Sequence, residues 1–259
     1  MKRRMSICAI IGAALVILLV LAAIFAGLLT KHDPIMSDIS MRFSRPTSGY
    51  PLGTDGLGRD IYTRVLYGLR TSLGTSAIAV LMSLMIGTIL GAVGAFLEEF
   101  AGTIGKAINN AIVIMARFVS TGPGMLLLLV IPIAFGAGGT ISIASGIAIV
   151  LLPGFILVAG GVISCRRTGN ALSLLGLVVA RISISMALAV FIYAIMSFIG
   201  MGAQPPTPEL GSMISQGRNF ITSSLYIALV PGITLALTLL SFNLLGEGLK
   251  AMALDKKTH

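Results

Sequence analysis

Six long apolar runs alternate along the chain with short polar stretches. They are Ile7–Leu29, Ser72–Leu97, Ala107–Ala134, Thr140–Ser164, Ile182–Met201 and Leu225–Leu245. A helix needs roughly 20 apolar residues to cross a hydrocarbon core of ~30 Å, and every run reaches that length. None shows the period-two alternation of barrel strands. The pattern predicts an all-α integral membrane protein with six transmembrane helices. The first run follows Lys2, Arg3 and Arg4, as in a signal peptide. Its 23 residues exceed the usual h-region of about 7–15, which favours a retained helix.

Between the first two runs lies a different kind of sequence, PLGTDGLGRDIYTRVLYGLRTSL, from Pro51 to Leu73. Gly53, Gly56 and Gly58 permit tight bends. Leu57, Ile61, Val65 and Leu69 recur at spacing four and mark one apolar helix face, with Asp60, Arg64 and Tyr67 largely on other faces. The block therefore predicts a turn-rich entry and an amphipathic helix lying on the membrane surface, feeding the second spanning helix at Ser72. A second polar stretch, GAQPPTPELGSMISQGRNFITSS, follows the fifth run. Pro205, Pro206 and Pro208 make a stiff exit, and Pro208–Phe220 is expected to hold a short helix bearing Glu209 and Arg218.

Composition agrees with this reading. Of the 259 residues, 56% are hydrophobic and 10% charged, where a soluble domain carries about 25% charged residues. The net charge of +9 is explained by basic residues flanking helices, so nucleic acid is not an expected partner; the lipid membrane is. Placing both termini in the cytoplasm puts Lys2, Arg3, Arg4, Lys106, Arg166, Arg167, Lys250, Lys256 and Lys257 inside. The outer turn Phe135–Gly139 then has no basic residue, and the outer loop Ala203–Ser224 only Arg218. This asymmetry is the positive-inside pattern, and it makes both polar blocks extracytoplasmic. Thr30–Thr71, with six basic residues beside Asp33, Asp38, Asp55 and Asp60, is long enough to depart from it.

Arg181 bears on where the fifth helix starts. An arginine at a helix centre costs ~2.5–3.5 kcal/mol on an insertion scale. A start at Ile182 removes that cost and leaves Cys165–Arg181 as a cytoplasmic connection. The alternative is a tight turn at Arg166–Asn170 with Arg181 facing the bundle. Ser83, Gly87, Gly91 and Ala95 form a small-residue ladder at spacing four, suited to close helix contact. Pro123, Pro132 and Pro153 are candidate kinks.

Catalytic chemistry is not evident. Cys8 and Cys165 have no pairing or metal spacing. His32, before Asp33-Pro34, reads as a helix exit, and His259 is terminal. Glu98-Glu99 reads as a solvated helix end. No glycine-rich loop with Lys-Ser or Lys-Thr offers a phosphate cradle, so any ATPase must be another chain. A proton-coupled carrier would need membrane-embedded acids or histidines, and the runs hold almost none.

Three stretches taken in order, PLGTDGLGRDIYTRVLYGLRTSL, FIGMGAQPPTPELGSMISQGRNF and PGITLALTLLSFNLLGEGLKAMALD, closely resemble the dipeptide/oligopeptide/nickel family of ABC importer permeases, specifically its C-type subunit. The resemblance implies a type I importer fold, with one peripheral helix (residues 1–71 with the outer segment) before a five-helix permease core (residues 72–259). It implies a permease of the inner membrane of a prokaryote for peptides or a related solute such as nickel, and no enzymatic activity. It also implies a B-type permease partner, two cytoplasmic ABC ATPases that bind the ATP, and an extracytoplasmic solute-binding protein, with no cofactor in this chain. Gly53, Asp55, Gly58, Arg59, Asp60, Gln204, Pro206, Glu209 and Arg218 would then form the outer gate and docking surface. The family's ATPase-coupling loop starts Glu-Ala-Ala, with a glycine six residues after the Glu. Here the frame holds Asn170, Ala171 and Gly176 after Arg166 and Arg167, and the charged segment that usually follows is missing. A non-transporting membrane scaffold is the alternative function that this departure raises.

Overall fold

The computed structural model describes residues 2–121, 128, 130–132, 139–164 and 171–255. Helix α1, Lys2–Ile24, is followed after Phe25 by the single turn α2, Ala26–Leu29. An irregular segment with a 3-10 turn at Ile39–Met41 leads to α3, Ile61–Phe100. The others are α4 (Gly102–Thr121), α5 (Thr140–Ser164), α6 (Ala171–Phe198), α7 (Leu210–Gly217) and α8 (Tyr226–Asp255). Among the described residues five helices are long and apolar enough to cross a membrane: Ile7–Ile24, Ile61–Phe100, Thr140–Gly161, Leu175–Phe198 and Tyr226–Ala253. The sixth expected span, Ala107–Ala134, lies partly outside the described residues. Its described first part is α4, whose side chains are mostly exposed.

Two expectations are corrected. The helix after Gly58 is not a separate surface element. It is the first part of α3, which runs unbroken for 40 residues. Leu57, expected on the same face, precedes the helix and is exposed; no proline interrupts Leu69–Leu73, and the face at Ile61, Val65 and Leu69, continued by Leu73, is covered by protein. Ala23, Val190, Leu210, Met213, Ile227 and Phe242 bury it. The fifth expected helix does not start at Ile182. Helix α6 starts at Ala171 and contains Arg181. The Arg181 guanidinium lies over the Phe155 ring, 5.7 Å from its centroid, and against Gly154, where an added Cβ would collide with it. A cation on an aromatic face is attracted by the ring quadrupole, which offsets part of the insertion cost. The reading with Arg181 facing the bundle therefore holds; the turn proposed at Arg166–Asn170, like Pro123, lies outside the described residues.

Helix α3 is central. Its middle meets α5 and α6 in a second core of Ala79, Val80, Ile143, Ile147, Leu151, Phe155, Tyr193 and Met196. Small residues set the separation of α3 and α5. Ser83, Gly87, Gly91 and Ala95 are all buried. A Cβ on Gly87 would stand 2.7 Å from Phe155 Cβ, and one on Gly91 2.5 Å from the Ile156 carbonyl oxygen. Helix α1 packs along α8 by the same device, with Gly12 against the Leu245 backbone and Gly248 against Ala9. Elsewhere these helices expose large apolar side chains, among them Ile17, Leu18, Leu81, Met85, Ile89, Phe191, Leu237 and Leu240. Such a surface suits lipid and would be a liability in water.

Candidate functional site

The polar chemistry collects at the start of α3. The chain from Gly53 to Ile61 folds into a closed loop by local physics. Gly53 and Gly58 take φ values of 77° and 73°, a region that costs a side-chain-bearing residue. The Asp55 N–H donates to the Arg59 carbonyl (3.0 Å), the Gly58 N–H to the Asp55 carbonyl (3.0 Å), and the Ile61 N–H to the Gly53 carbonyl (3.1 Å). No larger residue fits at Gly58, because a Cβ there would lie 1.7 Å from the Asp38 carbonyl oxygen. Asp60 caps α3. Its carboxylate accepts from the Tyr62 N–H (3.3 Å), the Thr63 N–H (3.1 Å) and the Thr63 hydroxyl (2.5 Å). That satisfies donors the helix start would otherwise leave open.

Asp55 organises the loop. Its Oδ1 accepts from the N–H groups of Leu57 (2.8 Å) and Arg59 (3.0 Å), and its Oδ2 from Arg59 Nε (2.7 Å). Arg64 Nε also lies 3.6 Å from Oδ2. Arg59 reaches further and donates from Nη2 to Gln216 Oε1 of α7 (3.1 Å). This ties the first polar block to the second. Arg64 is 1% exposed; its Nη1 donates to the Pro34 carbonyl (2.8 Å) and its Nη2 has no hydrogen-bond partner among the described residues. Tyr226 of α8 donates from its hydroxyl toward the Ser44 and Thr54 carbonyls, both at 3.3 Å. Phe43 packs edge-on to Phe220. A cavity of about 270 Å³ opens between the blocks, lined by Arg42, Asp55, Arg59, Arg64, Gln216 and Asn219 among polar residues and by Leu57, Met213, Phe220 and Ile227 among apolar ones.

Glu209 is the second buried anchor. It is fully buried and caps α7 by accepting from the Ser212 N–H (2.8 Å). The Ser72 hydroxyl of α3 donates to its Oε1 (2.9 Å). Burial pushes the Glu209 carboxyl above its ordinary range, while the Ser212 and Gly211 N–H groups and the Ser72 hydroxyl pull it back. Three other expected outer residues stand apart and do not line the cavity. Gln204 donates to the Gly200 carbonyl (2.6 Å), Pro206 is exposed, and Arg218 is exposed with its guanidinium 6.0 Å from the Phe198 centroid.

Of the expected coupling residues, Arg166, Arg167 and Asn170 lie outside the described residues. Ala171 opens α6, and Gly176 faces α8, where an added Cβ would stand 3.2 Å from Ala253 Cβ. Sequence reasoning missed Arg64, Ser72 and Gln216 as partners. The signal for Arg64 was present: it falls one helical turn after Asp60, at the end of a block holding two acids. Among the described residues no cluster of three or more His, Cys, Asp or Glu could hold a metal ion.

A bundle of long apolar helices bearing a folded ionic cap defines a multi-pass integral membrane protein. Residues 6–46 match the family model for the N-terminal TM domain of oligopeptide transport permease C. The chain is 33% identical to the glutathione transport system permease protein GsiD of Pectobacterium atrosepticum, over 96% of this chain and 87% of that protein. It is 34% identical to the dipeptide transport system permease protein DppC of Alkalihalophilus pseudofirmus, over 96% and 86%. The di/tripeptide transport system permease protein DppC of Pseudomonas aeruginosa is 30% identical over 95% and 87%. The chain belongs to the C-type permease family of peptide ABC transport systems. Its members are membrane transporter components and not enzymes.

Proposed function

We propose that this chain is one permease subunit of an ATP-driven importer of di- or oligopeptides in a prokaryotic inner membrane. It pairs with a B-type permease, two cytoplasmic ABC ATPases and an extracytoplasmic solute-binding protein. Both termini are cytoplasmic, so the cap formed by residues 30–60 and α7 faces outward. The reading is carried by one observation: 33–34% identity to permeases named for glutathione and dipeptide transport, extending over 96% of the chain. Within it, the buried residues Gly53, Asp55, Gly58, Arg59, Asp60 and Glu209 shape the cap. The exposed Gln204, Pro206 and Arg218 are available to the binding protein. The connection before α6, with Arg166, Arg167 and Asn170, meets an ATPase, and the partner permease carries most of the coupling.

The test is uptake. In a strain that depends on an imported dipeptide for one amino acid, deletion of this chain should abolish uptake of the labelled dipeptide. Affinity-tagged chain should recover a second permease and two ATPase subunits. Unchanged uptake of every di- and oligopeptide tried, with no ATPase recovered, would refute the proposal.

A further inference from the structure

The cavity at the start of α3 holds more positive charge than its own acid can balance. Arg42, Arg59 and Arg64 line it, against Asp55 as the one acid lining it among the described residues. Asp55 is already saturated. It accepts from two backbone N–H groups and Arg59 Nε, and it pairs with Arg64 Nε. Arg64 lines the cavity, 1% exposed, with Nη2 unpartnered among the described residues. A guanidinium remains charged under all ordinary conditions and offers a planar fork of donors that matches a carboxylate. A cation held under a low-dielectric wall projects a stronger field into the space above it than one in water. Arg42 is exposed at the mouth, Gln216 and Asn219 add amide groups, and Leu57, Met213, Phe220 and Ile227 supply an apolar wall. The volume of about 270 Å³ lies just below the ~300–1,000 Å³ typical of ligand pockets. It suits one carboxylate on a short stem.

We propose that this cavity is a carboxylate-binding site, with Arg42 and Arg59 facing the anion and Arg64 supplying charge from the wall. The carboxylate comes from a free solute, such as a peptide C-terminus, or from an acidic side chain of a docked protein. The inference rests on the cavity itself and does not depend on the ATP-driven mechanism.

The experiment uses the full chain in nanodiscs of zwitterionic lipid. Line broadening of 13C-labelled acetate is titrated at constant ionic strength set with sodium chloride. Wild type should bind saturably. Arg42→Gln should raise the apparent Kd about two- to fivefold, the size of an exposed charge contribution. Leu57→Glu should abolish binding, because it puts a competing carboxylate at the mouth. Leu57 is 49% exposed, so this change leaves the fold intact, and helicity by circular dichroism checks that. Glycylglycine and N-acetyl-Ala-Glu-Ala-amide then separate the sources. Competition by the first alone assigns peptide termini; competition by the second alone assigns protein side chains. Absence of saturable acetate binding in wild type, equal Kd values in all three proteins, or equal competition by glycylglycinamide would overturn the proposal.

Discussion

Gly91→Ala tests whether α3 and α5 are held at the distance the small-residue ladder sets. In an open helix position this change stabilises by about 1 kcal/mol, because alanine has the higher helix propensity. At Gly91 the new Cβ would stand 2.5 Å from the Ile156 carbonyl oxygen and 2.9 Å from Ala159 Cβ. Both neighbours are fixed, one as backbone and the other as a side chain without rotamers. Restoring contact at about 3.5 Å requires the helices to separate by roughly 1 Å. Overpacking of this kind costs ~1–3 kcal/mol, and the backbone neighbour places it in the upper half of that range. The net destabilisation should be about 1–2 kcal/mol. Gly74 in the same helix is the control, since a Cβ there meets nothing within 4 Å. Gly74→Ala should be neutral or stabilising by up to about 1 kcal/mol. The measurement is unfolding of the full chain in mixed micelles by increasing SDS fraction, followed by far-ultraviolet circular dichroism. If Gly91→Ala matches Gly74→Ala, the ladder does not set the helix separation.

Three further outcomes are expected. Burial raises the Glu209 carboxyl pKa, so the folded state binds its proton more tightly than the unfolded chain, whose value is near 4.3. The favourable contribution is complete below the unfolded value and lost as pH rises through the folded one. Glu209→Gln should flatten this fall while keeping an acceptor for the Ser212 N–H, and Glu209→Ala should lose about 1 kcal/mol of capping at every pH; parallel pH profiles for wild type and Glu209→Gln would contradict the assignment. Ser48→Cys, at an exposed position in a background lacking Cys8 and Cys165, should react with a membrane-impermeant thiol reagent on intact cells. Reaction only after permeabilisation would invert the topology; cysteines at Arg59 or Asp60 would not serve, since these residues are 5% and 3% exposed. Gly154→Ala should push the Arg181 guanidinium off the Phe155 ring and cost about 0.5–1 kcal/mol, the size of a cation–π contact, and adding Arg181→Ala should remove that loss. Additive losses in that double-mutant cycle would mean the two residues do not touch.

Five of the six long apolar runs were legible because lipid imposes length and uniform hydrophobicity on a spanning helix. The Thr140–Ser164 run and the observed α5 have identical limits. Helix ends were less legible where polar residues continue a helix beyond the membrane. Ile61–Thr71 carries Arg64 and Arg70, so hydropathy ends the span at Ser72, although backbone hydrogen bonding continues to Ile61. Arg181 misled in the opposite sense. Its insertion cost argued for a break, and the compensation from Phe155 and Gly154 comes from another helix, which local sequence cannot reveal. The cap was half legible. Its glycines announced a tight fold, but the helix was read as including Leu57 and Asp60, whereas Asp60 is its cap and Ile61 its first residue. The pairing of Arg59 with Gln216 spans 157 residues and that of Ser72 with Glu209 spans 137. Both depend on the return of α7 beside α3, which no local pattern encodes.

The length of α3 joins the cap directly to the core of the bundle. Forty residues at 1.5 Å each span about 60 Å, roughly twice a ~30 Å hydrocarbon core. At one end Asp60 caps the helix, Arg64 joins Asp55, and Ser72 holds Glu209. In the middle Gly87 and Gly91 lie against the backbone of α5 with no room for another atom. At the far end Glu98 accepts from Asn109 of α4 (2.5 Å), and Gly94 abuts the same asparagine. No proline interrupts the helix, which removes one common cause of a sharp kink between these anchors. The ladder contacts interlock, so α3 cannot slide along α5 without lifting away from it. The cap, the ladder and the α4 contact therefore all meet one continuous helix. The ion pair of Asp55 with Arg64 thus ties the cap to the same helix whose middle packs against α5.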